Sequence, residues 1–155
     1  MYSLVLFISF LVHYYASNYM ENDPCKIRFF FYLSLFTFFM SLMVLSNSLL
    51  QFFFAWEGVG LASYLLINFW FTRIEANRAA MKAMIVNRFG DFGLYLAILL
   101  IFSYCKLNTF SNLNFVSQLL QKITLFGWEF SIAEVLAALF FLAVVGKSAQ
   151  LGLHT

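Results

Sequence analysis

The stretch that decides the fold runs from Phe29 to Thr72 and reads FFFYLSLFTFFMSLMVLSNSLLQFFFAWEGVGLASYLLINFWFT. It is long enough to cross a bilayer twice, at about 20 residues per crossing. The polar tripeptide SNS at residues 46–48 divides it, which predicts two neighbouring antiparallel helices. Glu57 is its only acidic or basic side chain. Because such a group costs about 2.5–3.5 kcal/mol at the centre of a membrane helix, its presence there predicts a function.

The whole chain has the composition of a membrane protein. Of its 155 residues, 63% are hydrophobic and 10% are charged, whereas soluble domains have about 25% charged residues. The net charge of +2 is scattered between apolar runs and gives no indication of a nucleic-acid partner. The 22 phenylalanines favour an AT-rich organellar genome as the source, since T-rich codons specify this residue.

Apolar runs separated by short polar clusters predict an all-α integral membrane helix bundle with about five transmembrane helices in a single domain. We place these helices at Tyr2–Tyr19, Phe29–Ser46, Leu49–Phe71, Ala83–Tyr104 and Phe130–Gly152. The fourth helix is expected to begin outside the hydrocarbon, in the alanine-rich stretch after Arg78. Lys106–Trp128, rich in Asn and Ser with interleaved Leu and Phe, is predicted to be a loop with a short interfacial helix.

The distribution of lysine and arginine predicts the orientation in the membrane. The loops on one face carry five of them, at Lys26, Arg28, Arg73, Arg78 and Lys82. The loops on the other face carry Lys106 and Lys122, so the positive-inside rule makes the five-charge face the matrix or cytoplasmic one. Cys25 and Cys105 fall on opposite faces, much farther apart than the ~7 Å between Cα atoms that a disulfide allows.

The sequence contains no Cys/His cluster with metal-ligand spacing, no Gly-rich phosphate loop and no redox-centre motif, so we expect no metal or cofactor in this chain.

Three motifs occur in a fixed order, WEGVGLASYLLI at 56–67, NRFGDFG at 87–93 and GKSAQ at 146–150. Together they resemble the subunit 5 family of mitochondrial NADH:ubiquinone oxidoreductase, the distal antiporter-like subunits of respiratory complex I. Subunits 2 and 4 share the glutamate and the lysine but lack the Trp-Glu-Gly-Val-Gly context. The resemblance covers essentially the whole chain and corresponds to the third to seventh spans of a longer family member. We therefore expect one piece of a split subunit.

The resemblance implies a role for two intramembrane charges. Glu57 and Lys147 match the family's glutamate and lysine, which implies a buried pair that translocates protons. A low dielectric disfavours both charges, so withdrawal of the Glu57 charge would favour proton release from Lys147. Gly146 and Gly152 flank the lysine and indicate a fifth helix that is discontinuous near Lys147. The structural alternatives are a glutamate that caps a polar pocket and a lysine that snorkels to the interface.

Other polar residues are second-rank candidates. Arg88 and Asp91 are three residues apart on one helical face, and the resemblance implies an ion pair that modulates the Glu–Lys couple. A pair that only neutralises itself to permit insertion is the alternative. His154 falls within the third motif region and is a further proton-handling candidate. His13 has no acidic partner in its helix and is predicted to be a packing residue.

Two glycines next to the glutamate have a predicted structural role. Gly58 and Gly60 follow Glu57 at spacings of one and three residues. Because a glycine has no side chain, neighbouring helices can approach it closely. We therefore expect both glycines to allow close helix packing around the carboxylate.

The resemblance implies a proton-translocating component of the membrane arm of complex I, in a complex that couples electron transfer from NADH to ubiquinone with proton pumping. NADH, FMN, iron–sulfur clusters and ubiquinone are implied elsewhere in the complex. The implied partners are membrane lipid and other membrane-arm subunits, including subunit 4 and a separate chain that carries the rest of subunit 5. The implied location is the mitochondrial inner membrane, as a multi-pass and mitochondrially encoded protein. A structural or assembly subunit without transport, and a subunit of a multi-subunit cation/proton antiporter, remain as alternatives.

Overall fold

The computed structural model describes residues 1–105, 122–125, 128–148 and 150. In this part of the chain the α-helices are α1 (Tyr2–Tyr19), α2 (Lys26–Val44), α3 (Leu49–Ile67), α4 (Ile74–Leu100) and α5 (Ile132–Lys147). A π-helical turn, Ile101–Cys105, extends α4. Two short strands, β1 (Lys122–Leu125) and β2 (Trp128–Ser131), precede α5.

Among the described residues, three helices are long and apolar enough to cross a membrane: α2, α3 and the continuous helix Ile74–Tyr104. In hydrocarbon a helix satisfies its own backbone hydrogen bonds, so apolar side chains can cover all of its sides. These spans confirm the predicted membrane helix bundle. The fourth helix begins at Ile74, ahead of Arg78 and therefore earlier than the predicted start in the alanine-rich stretch. Crossing of the membrane by α1 and α5 stays a prediction.

The chain divides into two compact units. The first consists of residues 1–46 and 51–84, and the second consists of residues 47–50 and 85–155. Helix α4 therefore contributes its first turns to the first unit and its remaining turns to the second.

In the first unit, α1 packs on α2. The rings of His13 and Phe30 have their centroids 6.0 Å apart, and Ala16 and Met20 are buried. His13 Nδ1 lies 2.8 Å from the carbonyl oxygen of Ser9, one turn earlier in α1. Since a carbonyl oxygen only accepts, Nδ1 carries the proton and donates it. The prediction of a packing histidine is confirmed.

Helices α2 and α3 run antiparallel, as their short connection predicts. Arg28, near the start of α2, donates from Nη2 to the carbonyl oxygen of Phe69, just after α3, over 3.0 Å. Near the middle of both helices, the Phe39 ring occupies the space that a Cβ atom on Gly58 would need. Close packing at Gly58 is therefore confirmed. The same prediction for Gly60 is wrong, because a Cβ atom there would have nothing within 4 Å among the described residues.

The core of the second unit lies where the end of α4 meets the beginning of α5. Its buried members are Leu49, Ala97, Ile101, Ile132 and Leu136. The last two are four residues apart, so they occupy one face of α5 and hold that face against α4.

The hairpin of β1 and β2 replaces part of the predicted loop. The strands pair antiparallel, from Lys122 opposite Ser131 to Leu125 opposite Trp128. The prediction of a loop with an interfacial helix is therefore wrong for residues 122–125, while residues 106–121 lie outside the described part. Ile and Thr in β1 and Trp and Phe in β2 favour the extended conformation.

Helix α5 begins at Ile132, two residues after the predicted start of the fifth span. Ser131 Oγ accepts a hydrogen bond from the backbone N–H of Glu134 over 3.3 Å. The Glu134 carboxylate in turn accepts from the backbone N–H of Ser131 over 2.9 Å. This reciprocal capping box satisfies two otherwise unpaired N–H groups and fixes the first residue of the helix.

Candidate functional site

Glu57 lies near the middle of α3, in the first unit, and its side chain is half-buried. Three buried residues of this helix, Ala55, Val59 and Ala62, follow the spacing of a single helical face. At about 100° per residue, Glu57 stands about 200° around the helix from Ala55. The carboxylate therefore projects from a side of α3 other than its most buried face.

Aromatic rings flank the turn that carries Glu57. The rings of Phe52 and Trp56 have their centroids 5.8 Å apart, and the Phe39 ring covers Gly58. Rings of this kind place apolar surface beside the carboxylate. Since Coulomb energies grow as the local dielectric falls, an ion close to this carboxylate would interact with it more strongly than in bulk water.

Arg88 and Asp91 lie on α4 within the second unit. The Arg88 side chain is exposed, and the Asp91 side chain is half-buried. They are three positions apart along the chain, so they lie on one side of the helix, as predicted. Gly90, between them in sequence, is buried.

The backbones of α4 and α5 touch at two glycines. A Cβ atom built on Gly146 would lie 2.8 Å from the Cα atom of Gly90, and one built on Gly90 would lie 3.1 Å from the Cα atom of Gly146. Lys147 follows Gly146 in sequence, and Asp91 follows Gly90. The crossing therefore brings the half-buried Lys147 to the level of Arg88 and Asp91 on α4.

Lys147 is the last residue of α5. The backbone N–H of Ser148 donates to the carbonyl oxygen of Val144 over 2.9 Å, whereas that of Gln150 donates to Val145, five residues earlier, over 3.3 Å. A bond that spans five residues in this way is typical of the carboxyl end of a helix. The negative end of the helix dipole lies here and favours a cationic side chain, by about 0.3–1 kcal/mol in exposed cases.

The structure brings together some of the predicted site residues. Lys147, Arg88 and Asp91 share the second unit, whereas Glu57 lies in the first, so the Glu57–Lys147 pairing stays a prediction. Within the described part of this single chain, no charged side chain is fully buried. Helix α5 ends at Lys147. The predicted discontinuity stays a prediction, because a resumption of the helix, like His154, would fall on residues outside the described ranges.

Sequence reasoning missed two features. The first is Arg28, for which the sequence indicates only an orienting charge; its guanidinium carbon lies 5.1 Å from the ring centroid of Phe69 and 5.5 Å from that of Phe71. The second is the contact of Gly90 with Gly146, since the sequence indicates only a helix interruption at Gly146. The recurrence of glycine in NRFGDFG was the available signal for close helix approach.

In the described ranges, no group of three His, Cys, Asp or Glu side chains could hold a metal ion.

Comparisons with protein-family models cover most of the chain. Residues 46–155 match the family described as "NADH:quinone oxidoreductase/Mrp antiporter, TM". Residues 1–30 match the family described as "NADH-Ubiquinone oxidoreductase (complex I), chain 5 N-terminus".

Individual relatives agree with these family matches. The chain is 52% identical to NADH-ubiquinone oxidoreductase chain 5 of Acanthamoeba castellanii, over 98% of this chain and 23% of the relative. It is 50% identical to the protein of the same name from Arabidopsis thaliana, with the same coverage of 98% and 23%. It is 46% identical to NADH-quinone oxidoreductase subunit L of Rickettsia conorii, over 99% of this chain and 23% of the relative. The chain thus spans about a quarter of the length of these curated relatives.

Proposed function

Because the chain belongs to the NADH:quinone oxidoreductase/Mrp antiporter transmembrane family, we propose that it is a proton-translocating component of the membrane arm of respiratory complex I. Relatives named as chain 5 or subunit L of this enzyme support the assignment to complex I rather than to a free-standing antiporter. The multi-pass helices of the chain fit a membrane-arm position.

The observation that carries the proposal is Glu57 in the middle of α3. This helix is one of the candidate spans, and Glu57 is its only acidic or basic residue. A carboxylate in hydrocarbon needs a polar or charged partner, and intramembrane acids commonly belong to ion or proton pathways. Its half-buried position leaves the carboxylate accessible to a further helix or to water.

In the proposed mechanism, the charge on Glu57 and the charge on Lys147 stabilise each other. Two opposite unit charges about 4 Å apart interact by about 4 kcal/mol at an effective dielectric of 20. This exceeds the about 2.3 kcal/mol that 100 mV of membrane potential supplies per charge. Protonation of Glu57 would remove the interaction and favour proton release from Lys147. A new negative charge near Lys147 would favour binding of a proton by Lys147.

Arg88 and Asp91 have a modulating role in this mechanism. While the two side chains neutralise each other, they impose little net field on Lys147. When they separate, each leaves an uncompensated charge at the level where α5 crosses α4. The half-buried Asp91 would then favour the ammonium form of Lys147, because an opposite charge stabilises it.

The redox chemistry belongs to other subunits in this proposal. NADH, FMN, iron–sulfur clusters and ubiquinone would act elsewhere in the complex, and this chain would respond through its charges. The proposed partners are lipid and other membrane-arm subunits, including a subunit 4 neighbour. The proposed location is the mitochondrial inner membrane.

The test is Glu57→Gln in the assembled complex, with protons translocated per NADH oxidised as the measurement. Gln is nearly isosteric and keeps hydrogen bonding but cannot carry the negative charge. We expect the proton stoichiometry to fall while the amount of assembled complex is maintained. The matched control is Glu75→Gln, which removes a carboxylate from a 90% exposed side chain at the start of α4 and should leave the stoichiometry unchanged. Unchanged stoichiometry in a fully assembled Glu57→Gln complex would instead favour a structural subunit.

A further inference from the structure

Three buried glycines form the contact between α4 and α5 in the second unit, at Gly90, Gly93 and Gly146. A Cβ atom on Gly146 would meet the Cα atom of Gly90 at 2.8 Å and its nitrogen at 3.1 Å. A Cβ atom on Gly90 would meet the carbonyl oxygen of Ala143 at 3.1 Å. The obstructing atoms are backbone atoms, so no rotamer change can relieve the overlap.

The contact at Gly93 is close but softer. A Cβ atom there would lie 2.7 Å from Cδ2 of Leu142 and 3.0 Å from the carbonyl oxygen of Leu139. The leucine tip can rotate away, but the carbonyl cannot. Substitutions should therefore disturb the crossing more at Gly146 than at Gly93. Gly60 on α3 provides a reference position, since a Cβ atom there has nothing within 4 Å.

We propose that Gly90 and Gly146 are positioning residues for Lys147, because their backbone contact sets the height of the last turn of α5 against α4. The inference rests on the proposed function, since it assigns the glycines to the same lysine. Neither glycine has an ionisable group, and each precedes a charged residue in sequence. A single methyl group at either position displaces Lys147 relative to Arg88 and Asp91 without removing any charge.

The first experiment compares Gly146→Ala with Gly60→Ala in the assembled complex. A displacement of ~1 Å at a reacting group can cost about 10²-fold in rate. We therefore expect proton translocation and NADH:quinone turnover to fall at least tenfold in Gly146→Ala, with the KM for quinone unchanged and assembly maintained. Gly60→Ala should match the unmodified complex. Equal, undiminished turnover in the two variants would overturn the proposal.

If Gly146→Ala does not assemble, Gly93→Ala carries the test. Its overlap with the mobile Leu142 tip predicts a smaller loss of turnover, again at unchanged KM for quinone. A loss that appears in KM rather than in turnover would overturn the positioning role.

The second experiment tests the crossing without any pumping measurement. The Cβ position of Gly93 lies 3.5 Å from Cβ of Leu142, within the range that disulfides adopt. The double variant Gly93→Cys/Leu142→Cys should form an intrachain disulfide on mild oxidation of the native complex, identified by peptide mass spectrometry, whereas each single variant should not. Absence of the disulfide would overturn the packing on which the proposal depends. If the disulfide forms while Glu57→Gln pumps normally, the proposed function fails and the crossing stands.

Discussion

Arg28 illustrates how one long side chain joins two helix ends. Its Nη2 donates to the Phe69 carbonyl oxygen, and its planar guanidinium lies over the rings of Phe69 and Phe71. Within the part of the chain that the structure describes, its Nε is buried without a hydrogen-bond partner, as is Oδ1 of Asn68. Stacking and donation at fixed angles require the arginine fork, whereas a lysine ammonium is a point charge on a flexible stem. The positive charge that orients the helix would be the same for either residue.

We expect Arg28→Lys to loosen the connection between α3 and α4 without changing membrane insertion. A hydrogen bond to a charged group contributes about 1.5–3 kcal/mol, and each 1.4 kcal/mol is about tenfold in an equilibrium. Amide hydrogen exchange at residues 68–73 should accelerate about tenfold or more. Arg78→Lys is the control, because the Arg78–Glu75 pair is 3.8 Å long and both side chains are largely exposed. Equal exchange in the two variants would contradict a joining role for Arg28.

At the scale of the element, α5 begins at a defined residue because side chains meet its free N–H groups. The sequence S-I-A-E at 131–134 is a capping-box pattern immediately before an apolar run. Ser131, the last residue of β2, is the N-cap residue of α5. The beginning of the helix is therefore determined locally, independently of the lysine at its other end.

Ser131→Ala should fray the first turn of α5, with a cost of about 1 kcal/mol. The free energy of local opening at residues 132–135, measured by amide exchange, should fall by about the same amount. Residues 140–145 should keep their protection. The control is Ser34→Ala, because the Ser34 hydroxyl donates to the Phe31 carbonyl within α2 and caps no helix. A Ser131→Ala variant with unchanged exchange in the first turn would show that packing, not the cap, holds that turn.

At the scale of the whole molecule, orientation can be checked with the chain's own thiol. Cys25 is a free, exposed cysteine just before α2, on the face predicted to carry five basic residues. Three candidate spans separate it from Ser131, which should therefore lie on the opposite face. A membrane-impermeant maleimide should label Cys25 only from the matrix side. In a Cys25→Ser/Cys105→Ser background, a thiol introduced as Ser131→Cys should be labelled only from the other side. Labelling of both thiols from one side would refute the three crossings.

Much of this architecture follows from hydropathy, because a lipid-facing helix has to be apolar over a fixed length. The bounds of α1 agree with prediction, and α2 and α3 differ from it by only a few residues at their ends. The hairpin was missed because its strands are only four residues long and stand in a segment of mixed polarity. Gly127 is the one residue in the sequence between the two strands that favours a turn.

The candidate site could be predicted only in part. Intramembrane charges stand out in an apolar sequence, so Glu57 and Lys147 could be selected by composition and motif. Contacts between helices depend on shape, and shape is not visible in hydropathy. Gly146 and Gly60 cannot be told apart by hydropathy. Gly146 contacts the backbone of a neighbouring helix, whereas Gly60 faces open space among the described residues.

Because both ends of α5 are fixed by contacts, the helix cannot accommodate an inserted or deleted residue. The capping box holds the start of the helix at Ser131, and the glycine contact holds it again at Gly146. One codon inserted or deleted between them would rotate everything downstream by about 100° and slide it by about 1.5 Å. Either the cap or the crossing would then be lost. The two contacts together therefore require a fixed number of residues between Ser131 and Gly146.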